Sequence, residues 1–246
     1  MFPQISFLGN FNKESPKTLA KPGCMRLDYM AHSCFLLEHE GYRLLFDPYD
    51  SDIGYPAPNL YSVDLVVVSH DHDDHNAVNQ VTGACQIARG VARRAFGPLV
   101  LDGEIGWHGE GCEADPISLT LLEWGNRRLA HFGDLGCELE ESHKQRFQDL
   151  DLLLIPCGGG YTINGPQAAE VVRQLRPKVV VPMHYQTPFL SRERFPNFQT
   201  AEPFLSACRE FCTIEPAKNG WVNLNEVWSK LDTEQTLVLD LQHQMA

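Results

Sequence analysis

Apolar and polar positions alternate along the chain in short blocks, and the blocks carry two different periods. MRLDYMA (25–31), SCFLLEH (33–39) and YRLLF (42–46) are β-prone runs parted by turn residues such as Gly41, and they predict an antiparallel meander. After a Gly- and Pro-rich stretch from Asp47 to Pro58 comes DLVVVSH (64–70), whose unbroken apolar centre is expected of a strand buried on both faces. ISLTLLEW (117–124) and RRLAHF (127–132), joined at Gly125-Asn126, predict a hairpin. DLLLIP (151–156), KVVVPM (178–183) and TLVLDL (236–241) read as further strands. Helices fit between them: Leu139 to Leu150, Pro166 to Leu175 with proline at the favoured first position, and Ala201 to Phe211. A meander followed by β-α-β order predicts a mixed α/β architecture with more than one sheet.

Composition narrows the class without changing that picture. The chain has 246 residues, 43% apolar and 21% charged, which is globular and long enough to bury a core unaided. Neither a repeat nor a low-complexity linker interrupts it, so one domain over 1–246 is expected, with about 1–23 as an irregular N-terminal extension. Twenty Lys and Arg against 32 Asp and Glu leave a net charge of −12 with no basic cluster, which argues against a nucleic-acid partner. Every apolar run falls short of the roughly 20 residues of a membrane span, and MFPQISFLGNFNKESPK lacks the pattern of a secretory leader. Eight cysteines are scattered, several of them inside apolar runs, as in a reduced compartment; a cytoplasmic protein is expected.

The chemistry concentrates where DLVVVSH ends. There HDHDDH places His70, His72, Asp74 and His75 in an H-x-H-x-D-H pattern, a dense donor set for a divalent ion such as zinc. In extended chain His70 and His72 share a face, while a turn into a helix would let Asp74 and His75 face a second ion. Six residues cannot complete two coordination shells, so distant donors are required. His108 in the Gly-flanked loop GWHGEG, Asp134 in HFGDLG and His184 in VPMHYQT stand at strand exits or in loops where sites are built.

In order and spacing, SHDHDDH, the His in a Gly-rich segment, HFGDLG and PMHY resemble the metallo-β-lactamase-fold hydrolases across most of the chain. AHSCFLLE, LLFDPYD and LLIPCGGGYTINGPQA are similar to the branch that includes ascorbate-6-phosphate lactonase. The resemblance implies a four-layer αββα sandwich, two mixed β-sheets flanked by helices. It implies one ion held by His70, His72 and His108, a second by Asp74, His75 and His184, and Asp134 bridging both. The cofactors implied are two divalent ions, zinc foremost with manganese or iron as alternatives. Asp134 and Asp74 are the catalytic candidates. The activity implied is hydrolysis of a small ester-like bond, of the lactone or phosphodiester class, by a metal-bridging hydroxide. A metal-dependent nuclease, a di-iron redox protein and a non-catalytic metal module are the rival readings; the charge opposes the first, and His rather than Glu at position 72 opposes the second.

Around these donors the sequence offers supporting groups. A metal-bound imidazole donates its other N–H to an acid or carbonyl, and Asp47, Asp71 and Asp73 are the candidates, Asp47 being favoured by the resemblance. His32 and His131 are candidates for a supporting or substrate role, and Tyr161 and Thr162 for the pocket. His39, His143 and His243 read as surface residues. The loop Cys157 to Thr162 either presents N–H groups to an anionic part of a substrate or is a plain strand-to-helix turn. Tyr185 to Phe204 either walls the pocket or forms a contact between subunits of a homo-oligomer; a small molecule is the expected partner.

Overall fold

The computed structural model describes residues 23–57, 62–83, 85–109, 115–217, 219–231 and 235–241. The N-terminal extension expected over about 1–23 therefore lies outside the described residues except for Gly23, and so does His243.

The meander forms as β1 (Met25–Ala31), β2 (Cys34–His39) and β3 (Tyr42–Phe46). Its second turn, Glu40-Gly41, has positive φ at both residues (50° and 80°), the mirror-image turn that suits the twist of a two-residue hairpin. β4 (Leu65–Val68) runs parallel to β3, and β5 (Gln86–Arg89) runs parallel to β4 at the sheet edge. A second sheet begins with the antiparallel run β6 (Arg94–Phe96), β7 (Leu99–His108), β8 (Asp115–Trp124) and β9 (Arg127–His131). It then turns parallel: α1 (Glu141–Arg146), β10 (Leu152–Pro156), α2 (Gly165–Leu175), β11 (Val179–Met183), α3 (Glu202–Cys208) and β12 (Thr213–Ala217). The strand β13 (Trp221–Asn223) returns to β1, α4 (Leu224–Lys230) follows, and β14 (Leu237–Leu241) inserts between β11 and β12.

Two mixed sheets result, one of six strands in the order β13-β1-β2-β3-β4-β5 and one of eight in the order β12-β14-β11-β10-β9-β8-β7-β6. Strand alternation sorts the smaller sheet into two faces. Leu27, Phe35, Leu37, Leu44, Phe46, Leu65 and Val67 face the larger sheet and join the main core. Leu36, Leu45, Val66 and Val68 face outward and are covered by Tyr49, Ile53, Tyr55, Leu190 and Phe198 from the segments after β3 and β11. Ala168, Val172 and Leu175 of α2 and Phe204 of α3 enter the main core from outside. Among the described residues no helix is long and apolar enough to cross a membrane.

Three expectations need correction. His108 is not in a loop but ends β7, a ten-residue strand paired along its length with β8. Gly103 and Gly106 interrupt its apolar pattern because a Cβ at either would meet Leu119, 2.5 Å from its carbonyl oxygen and 2.8 Å from its side chain respectively. His143 is buried, not a surface residue: in the first turn of α1 its Nδ1 accepts from Glu140 N–H and its Nε2 donates to Ile105 O. His39 is half-buried and donates through Nδ1 to Cys24 O. Six cysteines (24, 34, 85, 157, 208 and 212) are free thiols as expected, whereas Cys137 is disulfide-bonded.

Candidate metal centre

Strand ends aim the candidate donors at one place. His32 between β1 and β2, Asp47 after β3 and His184 after β11 all have positive φ (55°, 40° and 53°), a costly conformation for residues with a Cβ. Each of these left-handed residues turns the chain sharply as it leaves its strand. The HDHDDH segment turns as well: His75 N–H donates to His72 O at 3.0 Å, and the segment continues into a short 3-10 turn rather than the helix expected.

Asp47 organises the motif from below. It is fully buried and accepts from Ser69 N–H at 2.8 Å, Ser69 Oγ at 2.6 Å and His75 Nδ1 at 2.8 Å. Since the Ser69 hydroxyl proton goes to Asp47, Ser69 Oγ accepts from His70 Nδ1 at 2.9 Å. One carboxylate thereby fixes the tautomers of His70 and His75 and leaves both Nε2 atoms as lone pairs. Asp71 and Asp73, the other acids considered, face outward: Asp71 pairs with Asn76 and Arg89, and Asp73 with Arg194.

Asp134 sits at the centre, in the turn after β9. Its Oδ1 lies 3.1 Å from His75 Nε2, and its Oδ2 lies 3.0 Å from His184 Nε2 and 3.8 Å from His70 Nε2. His108 donates through Nδ1 to the Asp134 carbonyl at 3.3 Å, which frees its Nε2. Candidate ligand atoms within 4.8 Å of one another form three groups: His70, His72 and His108; His32, Asp74, His75 and His184; and His70, His75 and Asp134. The seven candidates of the sequence fall into these groups, and His32 joins the second, its Nε2 3.0 Å from Asp74 Oδ2.

The contacts of the Asp134 carboxylate with His75 and His184 are close without being hydrogen bonds. His75 Nε2, Asp134 Oδ1 and both ring nitrogens of His184 are buried with no hydrogen-bond partner, although His184 is 2% exposed. Orphaned buried polar atoms are rare because each loses its water without replacement. Lone pairs that converge without facing one another fit a shared cation, and imidazole with carboxylate is the donor chemistry of zinc, manganese and iron.

Electrostatics agree with that fit. Burial and the neighbouring His75 depress His70 to about 3, and burial with His184 depresses His32 to about 4, so both imidazoles are neutral at physiological pH. Burial pushes the Asp134 and Asp74 carboxyls up, but the histidines around each outweigh it and hold both below the usual range, hence ionised. Burial likewise opposes the charge on His75, yet Asp134 and Asp74 raise it well above its ordinary value. A proton on His75 and a divalent ion are alternative occupants of one negative pocket.

The remaining candidates divide. His131 spends both nitrogens on backbone, donating through Nε2 to Ser33 O at 2.9 Å and accepting from Gly133 N–H at 3.1 Å, and so braces the Asp134 turn. Thr162 donates to Gly159 O at 3.1 Å inside its own loop. That loop is a turn: Gly158 N–H donates to His184 O and Gly159 N–H to Ile163 O, while Asn164 caps α2. Tyr161 stands beside His108 with ring centroids 6.1 Å apart. Phe195 and Phe198, in the aromatic stretch after β11, pack on the His32 ring and wall this side of the centre, with Phe198 also against His184. Sequence reasoning passed over Ser69 and Arg194. Ser69 was findable as the polar residue between a buried strand and its first histidine, whereas Arg194 has no local signal because its partners Asp52 and Asp73 are far off in the chain.

An α/β sandwich of two mixed sheets with this donor cluster at its strand ends defines a class, and the chain belongs to it: residues 26–184 match the Beta-lactamase superfamily domain. Over 197 residues it is 29% identical to a UPF0173 metal-dependent hydrolase of Carboxydothermus hydrogenoformans, covering 66% of this chain and 85% of that one. A UPF0173 protein of Pyrococcus furiosus is 30% identical over 187 residues, covering 66% of this chain and 84% of that one. The structure of a proposed zinc-dependent hydrolase of the metallo-β-lactamase superfamily from Thermotoga maritima aligns with a TM-score of 0.69 at 28% identity, over 89% of this chain and 100% of that one.

Proposed function

We propose that this metal-dependent hydrolase cleaves a small ester-like bond, of the lactone or phosphodiester class, at a two-ion centre. His70, His72 and His108 would hold one ion and Asp74, His75 and His184 the other, with Asp134 serving both; zinc is the leading candidate, with manganese or iron as alternatives. The observation that carries this reading is the set of buried, unpartnered donor atoms on His75, Asp134 and His184. When bound, such ions supply an acidified water and an electrophilic clamp on the scissile oxygen.

The chain's own residues do the rest. Asp47 holds His75 directly and His70 through Ser69, so these donors need no reorganisation when substrate arrives. Asp134 would accept a hydrogen bond from the attacking water, and Asp74, held by His32, would orient it. Phe195 and Phe198 exclude water on the side of His32 and His184. Elemental analysis and anomalous diffraction on protein made under metal-replete conditions, followed by an ester, lactone and phosphodiester panel, test the reading. Up to two ions per chain at this cluster and turnover of a panel member are expected. Absence of metal at these side chains overturns it.

A further inference from the structure

We infer that the substrate is an uncharged ester or lactone carrying a planar, aromatic ring that stacks on Tyr161, an inference that rests on the hydrolase reading. Tyr161 is 62% exposed, a large apolar surface left in water directly beside His108. What sets this ring apart is its position beside a candidate ligand on backbone held from both sides. The Tyr161 carbonyl accepts from Gly109 N–H at 2.9 Å, and a Cβ on Gly136 would come within 2.9 Å of the same oxygen. On its N-terminal side Gly160, with φ of 72°, lies so close to Phe198 that a Cβ there would sit 3.0 Å from the ring. The phenol ring is thus presented on a rigid loop next to a candidate ligand, and stacking a flat substrate on it involves little loss of conformational freedom.

Charge across the mouth selects against the phosphodiester half of the class. Asp115, with its side chain 63% exposed, has Oδ2 3.8 Å from His72 Nε2. The nearby guanidinium groups are already engaged, Arg89 with Asp71 and Asn76, and Arg194 with Asp52 and Asp73. Asp115 lies well within the Debye length of about 8 Å from His72, so its repulsion of an anion there survives screening at physiological salt. An uncharged aryl lactone meets no such barrier.

Steady-state kinetics on the metal-loaded protein with dihydrocoumarin, δ-valerolactone and bis(p-nitrophenyl) phosphate tests this. The aryl lactone is expected to have the highest kcat/KM. Tyr161→Ala is expected to raise its KM about three- to tenfold with kcat little changed, to affect the aliphatic lactone less, and to leave metal content as in the wild type. Tyr161→Phe should keep the wild-type KM, since the ring face and not the hydroxyl makes the contact. Calorimetric binding of the unreactive lactam analogue of dihydrocoumarin separates the two levels of the argument. If no substrate turns over but the lactam binds three- to tenfold more weakly to Tyr161→Ala, the hydrolase reading fails and the ring platform stands. A lactam affinity and aryl-lactone KM indifferent to Tyr161→Ala, or a phosphodiester preferred by the wild type, overturns the inference.

Discussion

Asp47 and Asp134 are both buried carboxylates, yet the structure gives them different work, and substitution separates the two. Asp47 touches Ser69 and His75 and fixes which nitrogen of two imidazoles carries the proton. Asp47→Ala leaves the donor atoms in the chain but frees their orientation, so metal affinity should fall about 10–100-fold, the usual cost of losing such a partner. Saturating metal should then restore much of the activity. Asp134 lies between His75 and His184, with one oxygen 3.1 Å from the first and the other 3.0 Å from the second. Asp134→Ala should reduce metal content towards one ion or fewer and lower hydrolysis by several orders of magnitude, and excess metal should not restore it. Titration calorimetry with zinc and single-substrate kinetics check both; equal rescue of the two variants would contradict the division of roles.

At the scale of elements, Asp102 shows how the antiparallel half of the larger sheet is tied to what surrounds it. It sits on β7, and Arg93 from the β5–β6 connection and Arg146 from the end of α1 both pair with its Oδ2. Burial pushes its carboxyl up, but Arg93, Arg146 and the Gly103 N–H outweigh that and hold it below its ordinary value. A carboxyl depressed by folding adds stability above its unfolded pKa of about 3.9, and the gain disappears as pH falls through the lower folded value. Asp102→Asn should therefore cost about 1–2 kcal/mol at pH 7, allowing for the partial exposure of the arginines, and the deficit should shrink below about pH 4. Urea unfolding at both pH values measures it. The same strand marks the limit of what the sequence discloses about elements. β1 to β4 and β8 to β11 are legible because their apolar residues run together or alternate cleanly. β7 is not, since Gly103 and Gly106 serve the close approach of Leu119, a contact from 13 to 16 positions away. β5, β6, β12 and β13 are short and are the four edge strands of the two sheets, half in water, so burial leaves little pattern in them. The candidate donors were readable for the opposite reason: polar residues at the exits of apolar runs stand out, and topology brings those exits together. That His131 would face backbone on both sides, and that His143 would be buried, depended on contacts with Ser33, Gly133 and Ile105 that no local pattern records.

For the whole molecule, the net charge of −12 and the strained, electron-rich centre act on stability in the same direction. Surplus negative charge favours the expanded chain, and the centre adds several ionised or lone-pair groups that crowd within 3.0 to 3.8 Å of one another. His32, Asp47 and His184 also hold left-handed backbone at that point. A divalent ion offsets these costs in the folded state alone, because the unfolded chain scatters His70, His108, Asp134 and His184 far apart. Binding to the native state only stabilises by RT ln(1 + [L]/Kd), about 2.7 kcal/mol at 100 Kd and about 4.1 kcal/mol at 1,000 Kd. For a chain of this size each kcal/mol corresponds to about 2–4 °C in Tm. Removing metal with a chelator should accordingly lower Tm by roughly 5–15 °C, and returning zinc, manganese or ferrous iron should restore it in a concentration-dependent way. Asp134→Ala should show a smaller response, having lost the residue common to both halves of the centre. Differential scanning calorimetry, with elemental analysis of each sample, decides the matter. A chelated protein shown to be metal-free that melts where the loaded protein does would mean that the buried, unpartnered atoms of His75, Asp134 and His184 are satisfied some other way.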